Sequence, residues 1–305
     1  MLRFLLRSLL LGALVCISVL IASFILSRAS GNLAINIAGP DASPAAILKI
    51  QHELGLDRPL PVQFLDWADR AAHGDLGESF LFHEKVSSLI ATHFPITFRL
   101  GMLAIAIAIV IALPLGITAA LWEGAALDVA IGAVAMLGQA VPSFWLGLIL
   151  IVWFGIDLRW LPIAGVDTWP GYILPAIVLS FVAIPVMLRL TRGGMVDALR
   201  ADYVRTARAK GLSRTTIVLK HALRNAAMPV VAVAAVQLGF ILGGSVVVEV
   251  VFNIHGVGYL AWESIGKGDF PVVQAVVLLF ALIFVGLTML SEMVGALLDP
   301  RVRGH

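Results

Sequence analysis

LGMLAIAIAIVIALPLGITAAL, residues 100–121, contains no charged side chain. A helical run of this length spans the roughly 30 Å hydrocarbon core of a bilayer at about 1.5 Å per residue. Extended back to residue 96, it is one of six apolar runs; the others cover roughly 8–27, 130–154, 173–190, 229–250 and 272–298. The fold read from this pattern is all-α and integral to the membrane, with six transmembrane helices. Composition agrees: 60% of the 305 residues are hydrophobic, 13% are charged, and mean hydropathy is +0.99. Soluble domains run near ~45–50% apolar and ~25% charged, so a disordered chain is excluded and an ordinary soluble enzyme is disfavoured. A net charge of +2 implies no nucleic-acid partner, and Cys16, the only cysteine, permits no internal disulfide.

Four prolines inside the runs, Pro114, Pro142, Pro175 and Pro185, are read as kinks. Arg3 and Arg7 precede the first run, as in a signal peptide. The stretch Leu9–Leu26 is longer than a usual signal core and no clear A-x-A site follows, which favours an uncleaved anchor.

Lysine and arginine set the orientation. Between 189 and 228 stand Arg189, Arg192, Arg200, Arg205, Arg208, Lys210, Arg214, Lys220 and Arg224, opposed only by Asp197 and Asp202. With six spans, this segment and both termini (Arg3, Arg7, Arg301, Arg303) share one side, expected to be the cytoplasm. The 28–95 stretch, with five basic and eight acidic residues, faces outward. The expected divisions are a first membrane helix at 1–27, a small helical extracytoplasmic insertion at 28–95, and a core at 96–305 that includes a cytoplasmic loop at 191–228. Within the insertion, Ser43 is placed to cap a helix that starts at Pro44 and stops at Gly55.

No nucleotide-binding G-x-x-x-x-G-K-[ST], H-E-x-x-H or G-x-S-x-G pattern occurs, and the seven histidines lack metal-ligand spacing. The chain therefore reads as a non-enzyme with no metal or cofactor of its own. Arg189, Glu249 and Glu292 all fall toward span ends, where snorkelling suffices. Gln139 and Gln237 lie deeper; each fits an interhelical hydrogen bond or, less readily, the lining of a polar route, with Glu249 a third polar group for either role. Gly239-x-x-x-Gly243 allows close helix contact, and Gly243-Gly244 allows a bend.

The basic loop carries the most information. Asp202 is placed to cap a helix through Arg205, Ala209 and Lys210 that Gly211 ends, and Ser213 to cap a second helix, 214–224, that stops before Pro229. A helix, a glycine bend and another helix would lie on the inner membrane face. On spacing alone this fits either docking into a partner or an ordinary positive-inside loop.

Asp202-Tyr203-Val204-Arg205-Thr206-Ala207-Arg208-Ala209-Lys210-Gly211-Leu212, followed by His221-Ala222-Leu223-Arg224-Asn225 and Pro229, resembles the EAA loop of the dipeptide/oligopeptide/nickel class of ABC-transporter inner-membrane permeases, first-permease subunit. The likeness runs nearly end to end: Leu54-Gly55-Leu56-Asp57-Arg58-Pro59 with Gln63; Gly74-Asp75-Leu76-Gly77 with Ser79; Pro142-Ser143-Phe144-Trp145; Leu161-Pro162; Leu174-Pro175; Arg189-Leu190-Thr191-Arg192; Gly243-Gly244 with Glu249, Phe252, Gly256 and Gly258; and Leu298-Asp299-Pro300-Arg301. The chain departs from the pattern where Arg205-Thr206-Ala207 replaces Glu-Ala-Ala, where His255 replaces a proline, and at Thr288 and Glu292, where Asn and Asp are usual. His255 fits a local loop difference better than a ligand contact.

The resemblance implies a bacterial or archaeal cytoplasmic-membrane importer. Its partners would be a second homologous permease, one or two ABC ATPases that bind ATP and magnesium, an extracytoplasmic solute-binding protein, and membrane lipid. It implies that Asp202, Tyr203, Arg205, Ala207, Ala209, Lys210, Gly211, Ser213, His221, Arg224 and Asn225 form the ATPase-coupling surface, with Ala209, Lys210 and Gly211 at its centre. The implied solute is a di- or oligopeptide, with nickel, glutathione, oligosaccharides or opines as alternatives. A stand-alone secondary transporter or channel would need a titratable group near the midplane. A membrane enzyme would need a catalytic cluster, and an assembly scaffold would need a loop whose mutation alters assembly alone.

Overall fold

The computed structural model describes residues 2–29, 34, 42–53 and 55–298; Leu54, Asp299, Pro300, Arg301 and Arg303 lie outside the described residues. Its elements are helices: α1 (Leu2–Ala29), α2 (Pro44–Glu53), α3 (Leu60–Ala72), α4 (Val86–Leu121), α5 (Ala126–Ala140), α6 (Ser143–Asp157), α7 (Ile173–Arg200), α8 (Asp202–Ala209), α9 (Arg214–Val251), α10 (Val257–Lys267) and α11 (Phe270–Leu298). Five helices among the described residues are long and apolar enough to cross a membrane, and a bent pair makes a sixth candidate. Many of their large apolar side chains point outward, Leu10 and Val110 at 71% exposure among them. A lipid solvent makes that arrangement favourable.

The third expected span is the bent pair: α5 and α6 meet at 98°. Pro142 drives Val141 out of the helical region to φ −76°, ψ 125°, and itself stands at φ −59°, ψ 132°. The other expected kinks do not break their helices. α4 runs on through Pro114 and α7 through Pro185, while Pro175 sits in the first turn of α7, where its missing N–H costs no bond.

The chain divides into two compact units. One comprises Phe98–Ile254 with the chain from Gly286 onward; the other comprises Leu2–Thr97 with His255–Val285.

In the first unit α7 packs along α9. The crossings are close because glycines stand at them: a Cβ on Gly194 would meet the Ala226 backbone at 3.2 Å, and one on Gly116 would meet Thr191 at 2.6 Å. Among the described residues nothing lies within 4 Å of a Cβ built on Gly243, and α9 runs on unbroken through Gly243-Gly244. Glu249 does not snorkel as expected. It is fully buried and accepts a hydrogen bond from Ser245 Oγ at 2.8 Å, because α9 continues to Val251 and the chain folds back over this end through Phe252 and Ile254, both buried.

In the second unit Val86, Leu89, Val257, Leu260, Val272, Ala275 and Val276 form a core. Asp269, 1% exposed, accepts from Ser79 Oγ at 2.5 Å and from the Phe80 and Leu81 amides at 3.3 Å, clasping the loop before α4. Ser43 Oγ caps α2 through the Ala46 amide at 3.3 Å, as the sequence predicts. His255 is exposed and rests edge-on against Tyr259.

Candidate coupling surface

The loop predicted at 191–228 contracts to 201–213, because both flanking helices extend into it. Residues 191–200 continue α7 while burying Met195, Val196 and Ala198 against Ala120, Val218, Ala222 and Ala226. Those apolar contacts explain why a segment rich in charge stays helical. The second helix does not stop before Pro229 either; that proline lies inside α9. Near the start of α9, Ile217–Ala222 is wound in the wider π pattern, a form found mostly as single-turn insertions in α-helices.

Ala201, at φ −69° and ψ 151°, turns the chain from α7 into α8 and is the actual N-cap. Asp202 sits one position later, inside the first turn, and its carboxylate accepts from Arg205 at 3.3 Å. α8 ends in a Schellman motif: the Leu212 amide donates to the Ala207 carbonyl at 3.2 Å and the Gly211 amide to the Arg208 carbonyl at 2.9 Å, with Gly211 at φ +75°. Ser213 then caps α9 through the Thr216 amide at 3.3 Å.

Two contacts hold α8 to α9. Val204, Ala207 and Ile217 make a small buried cluster. On the outer side Asn225 Nδ2 donates to the Tyr203 hydroxyl at 2.9 Å.

The expected docking residues therefore separate. Tyr203, Arg205, Ala209, Lys210, Gly211, Ser213, Arg224 and Asn225 are exposed, and His221 is half-buried. Ala207 is a correction: it is buried and faces Ile217. A residue three positions after Val204 shares its helical face, which points inward. Gln139 is exposed at the end of α5, whereas Gln237 is buried within α9.

Sequence reasoning missed the ion pairs beside this surface. Arg192 makes a bidentate pair with Asp128 at 2.6 Å on each arm, and the Gly124 amide donates to the same carboxylate at 3.0 Å. Arg200 holds both oxygens of Glu123 at 2.9 and 3.0 Å. Together they fasten the α4–α5 turn to α7. A signal was available: Glu123 and Asp128 are the only carboxylates between Glu84 and Asp157.

The family model for the binding-protein-dependent transport system inner membrane component matches residues 112–304, and the model for the N-terminal part of such components matches 1–101. The chain belongs to this family. It is a permease subunit of an ABC importer and a multi-pass protein of the inner membrane. It is 41% identical over 305 residues to the glutathione transport system permease protein GsiC of Salmonella choleraesuis strain SC-B67, covering 99% of both chains. It is 43% identical over 266 residues to the protein of that name from Pectobacterium atrosepticum, covering 87% of each. The MetNI methionine ABC transporter, in an inward-facing form, has the same fold at a TM-score of 0.58 and 17% identity, over 69% of this chain and 96% of that one.

Proposed function

We propose that this permease carries small peptides, glutathione among them, and is driven by ATPases that grip the helix pair at 202–225. The carrying observation is the exposed tip Ala209-Lys210-Gly211, held by two contacts between α8 and α9, of which α9 runs on into a membrane span. A rigid pair of this kind transmits closure of an ATPase dimer as rigid-body motion. The full-length likeness to permeases named for glutathione transport supports the peptide class.

In this reading the chain is not an enzyme: ATP and magnesium bind the partner ATPases. A second permease completes the path, and an extracytoplasmic binding protein delivers solute to the 28–95 insertion. Residues 1–27 form the first membrane helix and 96–305 the core. Both termini and the 191–228 segment are cytoplasmic. Asp202, Tyr203, Arg205, Ser213, His221, Arg224 and Asn225 frame the tip. Exposed Gln139 faces the path, while Gln237 and Glu249 serve helix packing.

The test is uptake of labelled glutathione, a dipeptide and nickel in cells lacking the chain, then carrying wild type or Gly211→Pro. Wild type should restore peptide uptake, and the variant should insert normally yet restore none. Nickel uptake alone would overturn the solute; normal uptake by the variant would overturn the coupling surface.

A further inference from the structure

A cleft of about 770 Å³ opens within the second unit, inside the ~300–1,000 Å³ range of small-molecule sites. Its walls are Arg28 at the end of α1, residues 52–58, residues 63–70 of α3, residues 75–80 before α4, and residues 270–274 at the start of α11. In the proposed topology these segments face outward.

Bonding capacity is left over on the walls. Arg28 is half-buried, its guanidinium lies over the Phe24 ring at 5.1 Å, and among the described residues no carboxylate pairs with it. Burial lowers its pKa from the ordinary value, and no acid opposes that shift. Gln63 is 8% exposed; its Nε2 donates to the Leu56 and Arg58 carbonyls at 3.0 and 2.7 Å, which fixes the amide. Among the described residues three buried side-chain polar atoms lack a partner, and two of them, Arg28 Nε and Gln63 Oε1, belong to this cleft. Buried polar groups are rarely left unmatched, so two in one cleft point to a bound molecule with hydrogen-bonding groups of its own.

The charges are of both signs. Asp75 and Glu78 are exposed and form no ion pair among the described residues, whereas Asp66 is taken by Arg58 at 3.2 Å. Arg70, a second cation, turns its Nε to the Asp66 carbonyl at 3.4 Å. Trp67 and Phe80 add half-buried aromatic faces. An inorganic anion would leave the acids unmatched, and a lipid tail would leave every charge unmatched. A cavity of this size holds a small molecule whole, whereas a protein partner docks on a broader face.

We propose that this cleft is a holding site for a short free peptide, its carboxylate on Arg28, its ammonium on Asp75 and Glu78, and its side chains on Trp67 and Phe80. The inference rests on the reading of the chain as a peptide permease and adds to it a solute site on this subunit's outward face. Peptide released by the binding protein would pause there before entering the path.

The experiment uses the full importer assembly, purified in nanodiscs without its binding protein. Equilibrium dialysis measures binding of labelled alanyl-phenylalanine, its C-terminal amide and its N-acetyl form. Wild type should bind the free dipeptide saturably and each blocked form about tenfold more weakly. Arg28→Gln should bind the free dipeptide no better than the amide, yet still discriminate against the N-acetyl form. Glu78→Gln should narrow the preference for the free ammonium alone. Arg28→Lys should keep part of the carboxylate preference. Lys267→Gln, which does not line the cleft, should change nothing. Loss of one preference with the other retained separates lost recognition from lost folding. An unaltered preference in Arg28→Gln places the peptide elsewhere and overturns the site. Absence of binding by an assembly that supports normal peptide uptake in cells overturns the site and leaves the peptide reading intact; nickel uptake alone overturns both. Variants that keep every preference but no longer capture the binding protein assign the cleft to a protein interface and overturn the solute site.

Discussion

Asn225 and Tyr203 are joined by a 2.9 Å hydrogen bond that ties the outer face of α8 to the membrane-proximal part of α9. Val204, Ala207 and Ile217 hold the inner face. With both faces fixed, a push on the tip rotates the pair as one body. Tyr203→Phe removes the hydroxyl alone. A net loss of about 1 kcal/mol is expected for such a bond, a factor of about five in the population of the docked pair. Solute moved per ATP hydrolysed should fall by up to that factor, while membrane insertion and basal hydrolysis persist. An unchanged ratio would show that the bond has no part in coupling.

Gly211 holds φ +75°, which costs a residue with a Cβ about 1–2 kcal/mol. Among the described residues no side chain or backbone atom would obstruct a Cβ there, so the penalty is conformational. Uptake should rank Gly above Asn above Val at this position, because Asn tolerates the left-handed region and a β-branched residue does not. Equal uptake by the Asn and Val variants would contradict the argument.

The two ion pairs on α7 should differ in weight. Asp128 is almost enclosed and held bidentately, whereas Glu123 and Arg200 are open to solvent. Exposed pairs contribute about 0–1 kcal/mol. Asp128→Asn should therefore lower the thermal midpoint of the detergent-purified protein clearly more than Glu123→Gln, as read by intrinsic fluorescence. The reverse order would refute this ranking.

Asp269 accepts from the Ser79 hydroxyl and from the Phe80 and Leu81 amides. Asp269→Ala should free that loop and speed tryptic cleavage after Lys85, which is exposed beside it. Cleavage at the wild-type rate would mean that the apolar core alone orders the loop.

A reporter fused after residue 303 should read cytoplasmic and one inserted at 60–80 external. Inverted signals would reverse the assigned orientation.

Much of the architecture was legible because lipid leaves a plain mark: long apolar runs need no partner to be recognised. Local caps were legible too, at Ser43 and Ser213, since a hydroxyl three residues before an amide is a short-range device. Proline was harder to read. Pro142 breaks its span while Pro185 and Pro229 do not, and residue type alone does not tell them apart. Glu249 was misread because nearness to a span end does not reveal the chain folding back over it. Ala207 and Ala209 could have been told apart by helical phase relative to Val204. Asp128 and Arg192 pair across 64 residues, a separation that no local pattern encodes.

The π-wound turn at Ile217–Ala222 acts as a spacer. One surplus residue in an α-helix shifts the phase of everything beyond it by about 100°. Ile217, at the start of the turn, packs against Val204 and Ala207, and Asn225, beyond it, bonds Tyr203, so the wider winding lies between the two contacts that hold α8. Deleting a single residue there, Leu219 for instance, would restore an ordinary helix and swing the tip through more than a quarter turn. In the proposed coupling role, the direction in which this helix pair would face a partner ATPase depends on the number of residues in one short segment.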